Sequence, residues 1–517
     1  MNRSSSNPRG LIMIQIDGLS KAQLEKALTE NNMPFLKRLL EKERYRLFPY
    51  YSGLPSTTPA VQGEIFYGVK QAVPGFFFFD KQTQKIFRMF DADAVLEMEK
   101  RLAAQGKGLL EGGSSYSNIY SGGAKEAHFC AGSLGWNYIW KDLKPLSAVP
   151  LLFTHFLAVV RMVFLTSWEL ILAKMDFIYG LLKREDPIIE FKFVPIRVLL
   201  CILLRELITL GAKIDAARGL PIIHLNFIGY DEQAHRRGPG TQTACWALKG
   251  IDRAIKKIYL AAAHSSRRNY DVWVYSDHGQ EATIPYEGFY GESVERAVKR
   301  VFQDLFLQEK SPLSNDSNLK KKFSDKGIQL QRGRYLGKWF EKVWPLNYDS
   351  GTASSSDVIV AAMGPIGSVH ILKNLSLDDK YRFAREMVAS AKIPLVLMPQ
   401  ENGTVRAWNK DGEFMLPEQA REILGKDHPY FDEVTKDLIS LCYHPNAGAF
   451  IISGWKLNGK PYSFPFENGA HAGPGKEETN AFALLPVDTL TLPGTRSYLR
   501  TEDLRKTALA ILAQQHF

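Results

Sequence analysis

Three apolar runs along the chain are each followed directly by an aspartate. The runs are LIMIQI, PIIHLNFIGY and DVWVYS, and the aspartates are Asp17, Asp231 and Asp277. Continuous apolar runs of this length predict strands that are covered on both faces. Helical patterns lie between them, for example Ala244 to Ala263, where apolar residues recur every three or four positions. This alternation predicts a layered α/β fold, and open α/β sheets bind ligands at the carboxyl ends of their strands.

Residues 145–212 depart from this pattern and are predicted to form an apolar helical insertion. Its two hydrophobic segments, Val149 to Ala173 and Phe193 to Leu210, approach the roughly 20 residues that span a membrane. Charges such as Arg161 and Arg205 interrupt them, and each charge costs about 2.5–3.5 kcal/mol at mid-bilayer. The sequence therefore favours a helical hairpin buried on the core or on a second subunit. Docking of the insertion on a membrane surface is the alternative.

The second departure is Gln308 to Asp357, which is rich in Lys, Ser, Asn and Asp and is predicted to be a linker or surface loop. Beyond it, one hairpin is expected to turn at Gly364–Pro365 and another at Asp411–Gly412. The chain is expected to return to the core near His444. These limits divide the chain into an N-terminal core part, the insertion, a core continuation, a linker with a smaller α/β or cap region, and a C-terminal core part, at 1–144, 145–212, 213–300, 301–440 and 441–517.

Composition narrows the partners only slightly. The net charge of +10 and the pI of about 9.1 favour anionic partners, such as phosphate-bearing substrates, nucleic acid or acidic lipid. The charge is spread along the sequence, so it identifies none of them, and no motif supports nucleic-acid binding. The four cysteines are far apart, which is typical of a reducing compartment. With a polar N-terminus that lacks the apolar segment of a secretion signal, this predicts a cytoplasmic protein.

The segment GLPSTTPAVQGEIFYG offers a nucleophile. Pro59 suits the first turn of a helix, so Thr58 is predicted at the N-cap, with its hydroxyl beside free backbone N–H groups. Those groups and the helix dipole attract anions, so a hydroxyl and a phosphate would share one location. A threonine that only caps the helix is the alternative interpretation, and Ser56 and Thr57 are rival hydroxyls.

Three further motifs carry metal-ligand side chains. In YDEQAHRRGPG, Asp231 and His235 are four residues apart and share one face of a helical turn, where they can hold a divalent ion. A surface ion pair is the alternative. In SDHGQ, adjacent Asp277 and His278 can converge only where the strand breaks, and Gly279 permits that break. In ENGAHAGPGKEET, glycines and a proline shape a loop around His471, and such loops often carry site residues.

In chain order, these motifs resemble the alkaline phosphatase superfamily, and most closely its type I phosphodiesterase/nucleotide pyrophosphatase branch. The resemblance covers residues 11–80, 221–282 and 440–515. It implies a three-layer α/β/α core with a mostly parallel central sheet, to which the helical insertion is added. It also implies a hydrolase of phosphate esters, with diesters expected ahead of monoesters.

The resemblance further implies a ligand set. One metal would be held by four residues and the other by three, respectively Asp17, Thr58, Asp277 and His278, and Asp231, His235 and His471. These ligand types suit zinc, with manganese as the alternative. Two such ions would activate the Thr58 hydroxyl, and turnover would pass through a phosphorylated Thr58.

One position departs from the branch. Phe79 occupies the place of an asparagine that contacts the phosphoryl oxygen in nucleotide pyrophosphatases, which puts specificity for nucleotide diesters in doubt. Phe79 and its neighbours either line an apolar pocket for a lipid-like leaving group or pack in the core. Asn118 and Ser121 are candidate replacement contacts, and Arg236 is a candidate partner of phosphate oxygens.

Several functions remain open on this sequence. The same site could serve a phosphomonoesterase or a phospho-group transferase. The basic charge and the insertion also suit a hydrolase of lipid headgroups, or a protein that binds membranes on the same scaffold. The sequence predicts a phosphate-ester small molecule or a lipid headgroup as partner, and it does not predict the oligomeric state.

Overall fold

The computed structural model describes residues 7–133, 199–306, 357–489 and 496–514. Within these ranges the largest sheet has eight strands, which run from one edge to the other as β20 (Leu499–Arg500), β2 (Tyr45–Tyr51), β19 (Asn480–Pro486), β8 (Asn269–Tyr275), β1 (Arg9–Ile16), β7 (Ile222–Phe227), β5 (Ser114–Tyr116) and β6 (Glu126–His128). Neighbouring strands are parallel except at β19, which is antiparallel to both β2 and β8. The predicted α/β fold with a mostly parallel central sheet is confirmed.

Helices cover both faces of this sheet. One face carries α1 (Lys21–Thr29), α2 (Pro34–Lys42), α5 (Arg205–Arg218), α6 (Gly229–Arg237) and α7 (Gln242–Ala263). The other carries α3 (Thr58–Tyr67), α4 (Ala92–Ala103) and α13 (Thr501–Ala513). Alternate residues of β1 enter the two cores, because successive side chains of a strand point to opposite faces: Ile12 and Ile14 pack on one side, and Leu11 and Met13 on the other. The core therefore has three layers.

A smaller sheet lies beside this core. Its six described strands are all antiparallel to their neighbours and run in the order β11 (Val358–Met363), β12 (Ile366–Ile371), β16 (Phe450–Ser453), β13 (Leu395–Pro399), β14 (Val405–Asn409) and β15 (Gly412–Leu416). Both predicted hairpins are confirmed: one turns at Gly364–Pro365, and the other at Lys410–Asp411, with Gly412 as the first residue of β15. Its faces are covered by α9 (Val294–Phe306) and α10 (Leu377–Ala389), and by α11 (Ala420–Leu424) and α12 (Phe431–Cys442).

The predicted return to the core near His444, with a limit at residue 441, is wrong. Strand β16, Phe450–Ser453, lies inside the smaller sheet between β12 and β13. The run FIIS is apolar throughout, and an apolar run predicts a buried strand without saying which of two sheets it joins. The chain rejoins the large sheet only at β19.

Short elements complete the described parts of the chain. They are the hairpin β3 (Phe77–Asp80) and β4 (Lys85–Arg88), the pairs β9 (Glu281–Ala282) with β18 (Gly469–Ala470) and β10 (Ile284–Pro285) with β17 (Tyr462–Ser463), helix α8 (Tyr286–Tyr290), a 3₁₀ turn (Ala131–Ser133) and a π-helical turn (Leu199–Leu204). The β9–β18 pair ties the segment after His278 to the segment before His471.

The limit of the predicted insertion at residue 212 is also wrong. Helix α5 runs across it, and Ile208 and Ala212 are buried in the main core. Arg205 and Lys257 both pair with Glu206, so the charges in this stretch are compensated inside the protein. Residues 145–198 of the insertion, and residues 308–356 of the predicted linker, lie outside the described residues. The helices that are described include none with the length and apolar character needed to cross a bilayer.

All four cysteines, at positions 130, 201, 245 and 442, lie in described parts of the chain, where they are buried and form no disulfide. This agrees with a sequence that shows no disulfide framework. The cytoplasmic location stays a prediction.

Candidate metal centre

The topology brings five distant segments to one edge of the large sheet. Strands β8, β1 and β7 are parallel neighbours, so their carboxyl ends meet there, with Asp17 directly after β1 and Asp277 shortly after β8. Helix α6, which follows β7, carries Asp231. Strand β19 runs the opposite way, so the loop that precedes it, with His471, reaches the same edge. Strand β2 is parallel to β8 across β19, and the chain beyond it leads to Thr58.

The first ligand group consists of Asp17, Asp277 and His278, whose ligand atoms lie within 4.8 Å of one another. All three residues are at most 4% exposed. Nε2 of His278 is 3.4 Å from Oδ1 of Asp17 and 3.3 Å from Oδ2 of Asp277. The Thr58 hydroxyl is 3.3 Å from both Asp17 Oδ1 and His278 Nε2. The predicted nucleophile therefore lies against this group.

The chemistry of the first group fits a divalent cation. Among the described residues, neither side-chain oxygen of Asp277 has a hydrogen-bond partner, although Asp277 is fully buried. Burial raises the pKa of Asp277 and of Asp17, and the nearby charges of Asp277 and Asp231 raise that of Asp17 further. Buried, unpaired carboxylates are costly, whereas carboxylate and imidazole are ligands of zinc. A bound cation would compensate this concentration of negative charge.

The second ligand group consists of Asp231, His235 and His471, again with ligand atoms within 4.8 Å of one another. His235 Nε2 is 3.1 Å from Asp231 Oδ2. Burial lowers the pKa of His235, but the Asp231 carboxylate raises it, and the net shift is upward. Burial raises the pKa of Asp231, but His235 lowers it, and the net shift is downward. The rings of His471 and His278 stack with centroids 3.8 Å apart, so the two groups adjoin.

Backbone carbonyls orient all three imidazoles in the same way. His235 Nδ1 is 2.9 Å from the Gly469 carbonyl oxygen, His471 Nδ1 is 2.8 Å from that of Ser56, and His278 Nδ1 is 3.0 Å from that of Gly279. A carbonyl only accepts hydrogen bonds, so each Nδ1 carries a proton, and Nε2 is the nitrogen that would bind a metal once it carries none. A hydrogen bond on the second ring nitrogen is the usual support of a metal-binding histidine.

The two groups coincide with the two ligand sets that the family resemblance implies, and Thr58 lies beside the first. The side chains that were widely separated in the sequence are thus brought together at one sheet edge. Their role as metal ligands stays a prediction, supported by the donor types and by the unpaired Asp277 oxygens.

The prediction that Thr58 is the N-cap of its helix is wrong. Thr57 has the extended cap conformation, and Thr58 and Pro59 are the first two helical residues of α3. Proline is tolerated anywhere in the first turn, where N–H groups have no helical partner, so it does not fix the cap to the preceding residue. The capping role therefore falls away for Thr58, whose hydroxyl contacts the first ligand group instead.

Two glycines let the segments approach each other. Gly18 has φ of +70°, and a Cβ built on it would lie 2.2 Å from Asp231 Oδ1. Gly279 does not have a left-handed φ, contrary to the prediction that backbone freedom explains it; a Cβ there would lie 2.2 Å from the Glu477 carbonyl oxygen. Space, rather than conformation, requires glycine at 279. Strand β7 also ends at Phe227, so Asp231 belongs to α6 rather than to the strand end.

Sequence reasoning missed two residues that orient the carboxylates. Asn226 donates to Asp17 Oδ2 over 2.6 Å, and the Gln280 amide donates to the Asp231 side chain. Asn226 lies opposite Gln15 in the register of β7 and β1. Asn226 and Gln15 are polar residues in mostly apolar strands, where burial of a polar group is costly unless it is hydrogen-bonded. That interruption was a usable signal, whereas nothing marked Gln280.

Three of the predicted substrate contacts make contacts within the protein instead. Phe79 is buried with its ring 5.1 Å from that of His370 of the smaller sheet, as core packing requires. The Asn118 amide donates to Ser115 and accepts from Gln62. The Ser121 hydroxyl donates to Glu99. We therefore withdraw Phe79, Asn118 and Ser121 as substrate contacts.

Arg236 is buried, and its guanidinium lies 6.0 Å from the centroid of the Phe466 ring. Phe466 directly precedes Glu467, whose Oε1 is 3.6 Å from Nδ1 of the ligand candidate His235. Arg236 thus lies on the helix of the second group, and its contact with substrate phosphate stays a prediction.

No protein-family model and no curated protein matches the sequence. Among solved structures, the chain is similar to phosphonoacetate hydrolase from Sinorhizobium meliloti in complex with phosphonoformate, with 14% identity, a TM-score of 0.46, and 98% of this chain and 96% of that chain covered. It is also similar to murine ectonucleotide pyrophosphatase/phosphodiesterase 5 in complex with AMP, with 10% identity, a TM-score of 0.46 and coverages of 98% and 95%. The human counterpart gives 9% identity, a TM-score of 0.44 and the same coverages. With such low sequence identities and TM-scores, the reaction of this protein follows from the residues of its own candidate metal centre.

Proposed function

We propose that this protein is a metal-dependent hydrolase of phosphate esters that works in the manner of the alkaline phosphatase superfamily. The observation that carries the proposal is the placement of the Thr58 hydroxyl 3.3 Å from both Asp17 and His278, beside the unpaired carboxylate of Asp277. A hydroxyl among buried metal-ligand side chains is the arrangement that an activated nucleophile requires.

Thr58 would be the nucleophile. Two bound divalent cations would polarise the phosphoryl group and lower the pKa of the attacking hydroxyl. The Thr58 hydroxyl gives up its proton to solvent, Oγ1 forms a bond to phosphorus while the bond to the ester oxygen breaks, and the leaving alcohol takes up a proton from solvent. Water then attacks the phosphothreonine, which releases phosphate or a phosphate monoester and restores the hydroxyl. Asn226 holds Asp17 in place through both steps.

The ligand set favours zinc, with manganese as the alternative. Asp17, Asp277 and His278 would hold one ion together with Thr58, and the second ligand group would hold the other. Carboxylate and imidazole nitrogen in these proportions suit a borderline cation, and they are less typical of magnesium or calcium, which prefer oxygen ligands alone.

The substrate is a phosphate ester on a small molecule or a lipid headgroup, with diesters ahead of monoesters. The net charge of +10 supports an anionic substrate. Because Phe79 packs in the core, it does not indicate which leaving group the substrate carries. A cytoplasmic location remains part of the proposal, and peripheral membrane contact through the insertion predicted at 145–212 is the alternative to its packing within the protein.

The test is a panel of aryl phosphate monoesters and diesters, assayed with added zinc or manganese. Diester turnover that is lost in Thr58→Ala and retained in Thr57→Val supports the proposal, because the Thr57 hydroxyl is buried and has no partner in the described structure. Acid quenching followed by mass spectrometry should find an aryl phosphoryl group on Thr58 with a diester, and phosphate on Thr58 with a monoester. Preference for monoesters, or transfer to an added alcohol, would instead identify a phosphomonoesterase or a transferase. Turnover of neither ester class would contradict the proposal.

A further inference from the structure

The loop of residues 471–478, here called the His471 loop, is held by three buried side chains that the proposed mechanism does not use. The Ser56 hydroxyl accepts a hydrogen bond from the Ala472 N–H over 3.0 Å. The Glu478 carboxyl group accepts from the N–H groups of Gly473 and Gly475 over 2.8 and 2.7 Å. His428 lies with Nε2 3.0 Å from the Pro474 carbonyl oxygen. All three side chains belong to residues that are at most 5% exposed.

The backbone of this loop is strained directly beside the candidate ligand. Ala472 has φ of +109°, a conformation that L-residues other than glycine rarely adopt. Such strain persists only where the surroundings enforce it. Here the N–H of Ala472 itself is fixed by the Ser56 hydroxyl, so the hydrogen bond holds the residue that sets the direction of His471.

Ser56 also connects the loop to the nucleophile. Its carbonyl oxygen accepts from His471 Nδ1 over 2.8 Å, and it precedes Thr58 by two residues. The Ser56 hydroxyl lies 3.4 Å from Glu478 Oε2, so the two side chains that hold the loop contact each other. At the far side, His428 Nδ1 accepts from the Tyr430 N–H, which leaves its Nε2–H to donate to Pro474.

We propose that Ser56, Glu478 and His428 are positioning residues that hold the His471 loop in its strained conformation and so present His471 Nε2 to the second ligand group. The inference rests on the proposed function only in taking His471 as a metal ligand. It predicts that loss of the Ser56 hydroxyl weakens one metal site and leaves the other unchanged.

The experiment measures zinc affinity rather than turnover. The full-length protein is stripped of metal and titrated with zinc against a chromophoric chelator, which gives one dissociation constant for each site. Asp231→Asn shows which constant belongs to the second group. Ser56→Ala should then weaken that constant by about 10- to 100-fold, the usual range for residues that orient a ligand. The matched control is Thr57→Val, which removes the neighbouring hydroxyl that lacks a partner in the described chain.

A rescue variant separates positioning from general damage. Glycine adopts positive φ without strain, so Ala472→Gly should keep the loop in place when the Ser56 bond is lost. The double variant with Ser56→Ala and Ala472→Gly is therefore expected to recover most of the lost affinity. If Ser56→Ala does not fold, His428→Gln tests the same loop from its other side, with the same selective loss expected.

A Ser56→Ala protein with the same two constants as Thr57→Val overturns the inference, and so does equal weakening of both sites. Selective weakening in a protein that hydrolyses no phosphate ester supports the inference and contradicts the proposed function. A wild-type protein that binds no zinc overturns both.

Discussion

The two ligand groups of the candidate centre are built on different kinds of backbone. Asp17 and Asp277 follow β1 and β8, which are hydrogen-bonded to neighbours on both sides in the middle of the large sheet. The second group combines the helix α6, with the side chains of Asp231 and His235 each 13% exposed, and His471 from a loop. A central strand end is fixed by the whole sheet, whereas a helix and a loop depend on a few local contacts. The first group is therefore the rigid half of the centre and the second is the adjustable half.

The groups also differ in charge. The first has two carboxylates and one imidazole, and within the described chain the oxygens of Asp277 have no hydrogen-bond partner. The second has one carboxylate and two imidazoles, and Asp231 already pairs with His235. Without metal, the first group places two buried carboxyl groups beside one imidazole, whereas the second places one carboxyl group beside two imidazoles. The difference predicts that removing a carboxylate has opposite effects on binding and on stability in the first group.

Asp277→Asn is expected to have the largest effect. Zinc affinity at the first group and ester hydrolysis should fall by more than about 100-fold, beyond the range seen for residues that only orient a ligand. The metal-free protein should become more stable, by on the order of 1 kcal/mol, because a neutral amide replaces a buried unpaired carboxylate. Zinc titration and urea unfolding in chelator measure the two effects. A variant that loses stability in chelator while it retains metal would show that Asp277 is structural.

Gly18→Ala is expected to break the second group alone. Its Cβ would lie 2.2 Å from Asp231 Oδ1, so Asp231 has to move, while Asp17 stays at the end of β1. Metal content by atomic emission should fall from two ions to one, and stability should fall by about 1–3 kcal/mol because φ is +70°. Gly53→Ala is the matched control, with φ of +87° and no described atom closer to its Cβ than 3.8 Å. Two ions in both variants would contradict the expected displacement.

The rigid half of the centre was more predictable from sequence than the adjustable half. LIMIQI and DVWVYS are apolar runs with an aspartate directly after them, and a parallel sheet collects such ends at one edge. The spacing of Asp231 and His235 likewise predicted one helical face. The sequence did not show how His471 arrives, because that depends on β19 running antiparallel to β8, a property of topology rather than of any local pattern.

Other errors have the same origin in contacts between distant segments. Nothing local distinguishes β16 from a strand of the large sheet, and Gly279 requires glycine because Glu477 approaches it from the other side of the chain. Asn118 had suitable chemistry for a substrate contact, but Gln62 and Ser115 occupy it. The sequence thus predicted which side chains lie at the centre better than it predicted what supports them.

Acid should act on the adjustable half through His428, which lies outside the centre. Burial lowers the pKa of His428 from its ordinary value of 6.5 to about 4. Between these values the unfolded chain binds a proton that the native protein does not, so stability falls as the pH drops through this window. The expected loss is up to about 2 kcal/mol between pH 6.5 and 5. Urea unfolding in chelator at both pH values should show a smaller loss in His428→Gln, and equal losses in the two proteins would exclude this role.

Ala472→Gly alone is expected to have the smallest effect and to define how much strain the His471 loop stores. Relief of φ of +109° should outweigh the greater freedom that glycine gives the unfolded chain, for a net gain of about 1 kcal/mol. Both zinc constants should stay within about two-fold of wild type, since the hydrogen bonds of the loop are made by backbone groups that the substitution keeps. A loss of about 0.5–1 kcal/mol, the ordinary cost of glycine in place of alanine, would show instead that the loop is relaxed. In that case the hydrogen bonds of the loop would hold a conformation that needs no enforcement, and the contrast between a rigid and an adjustable half would rest on α6.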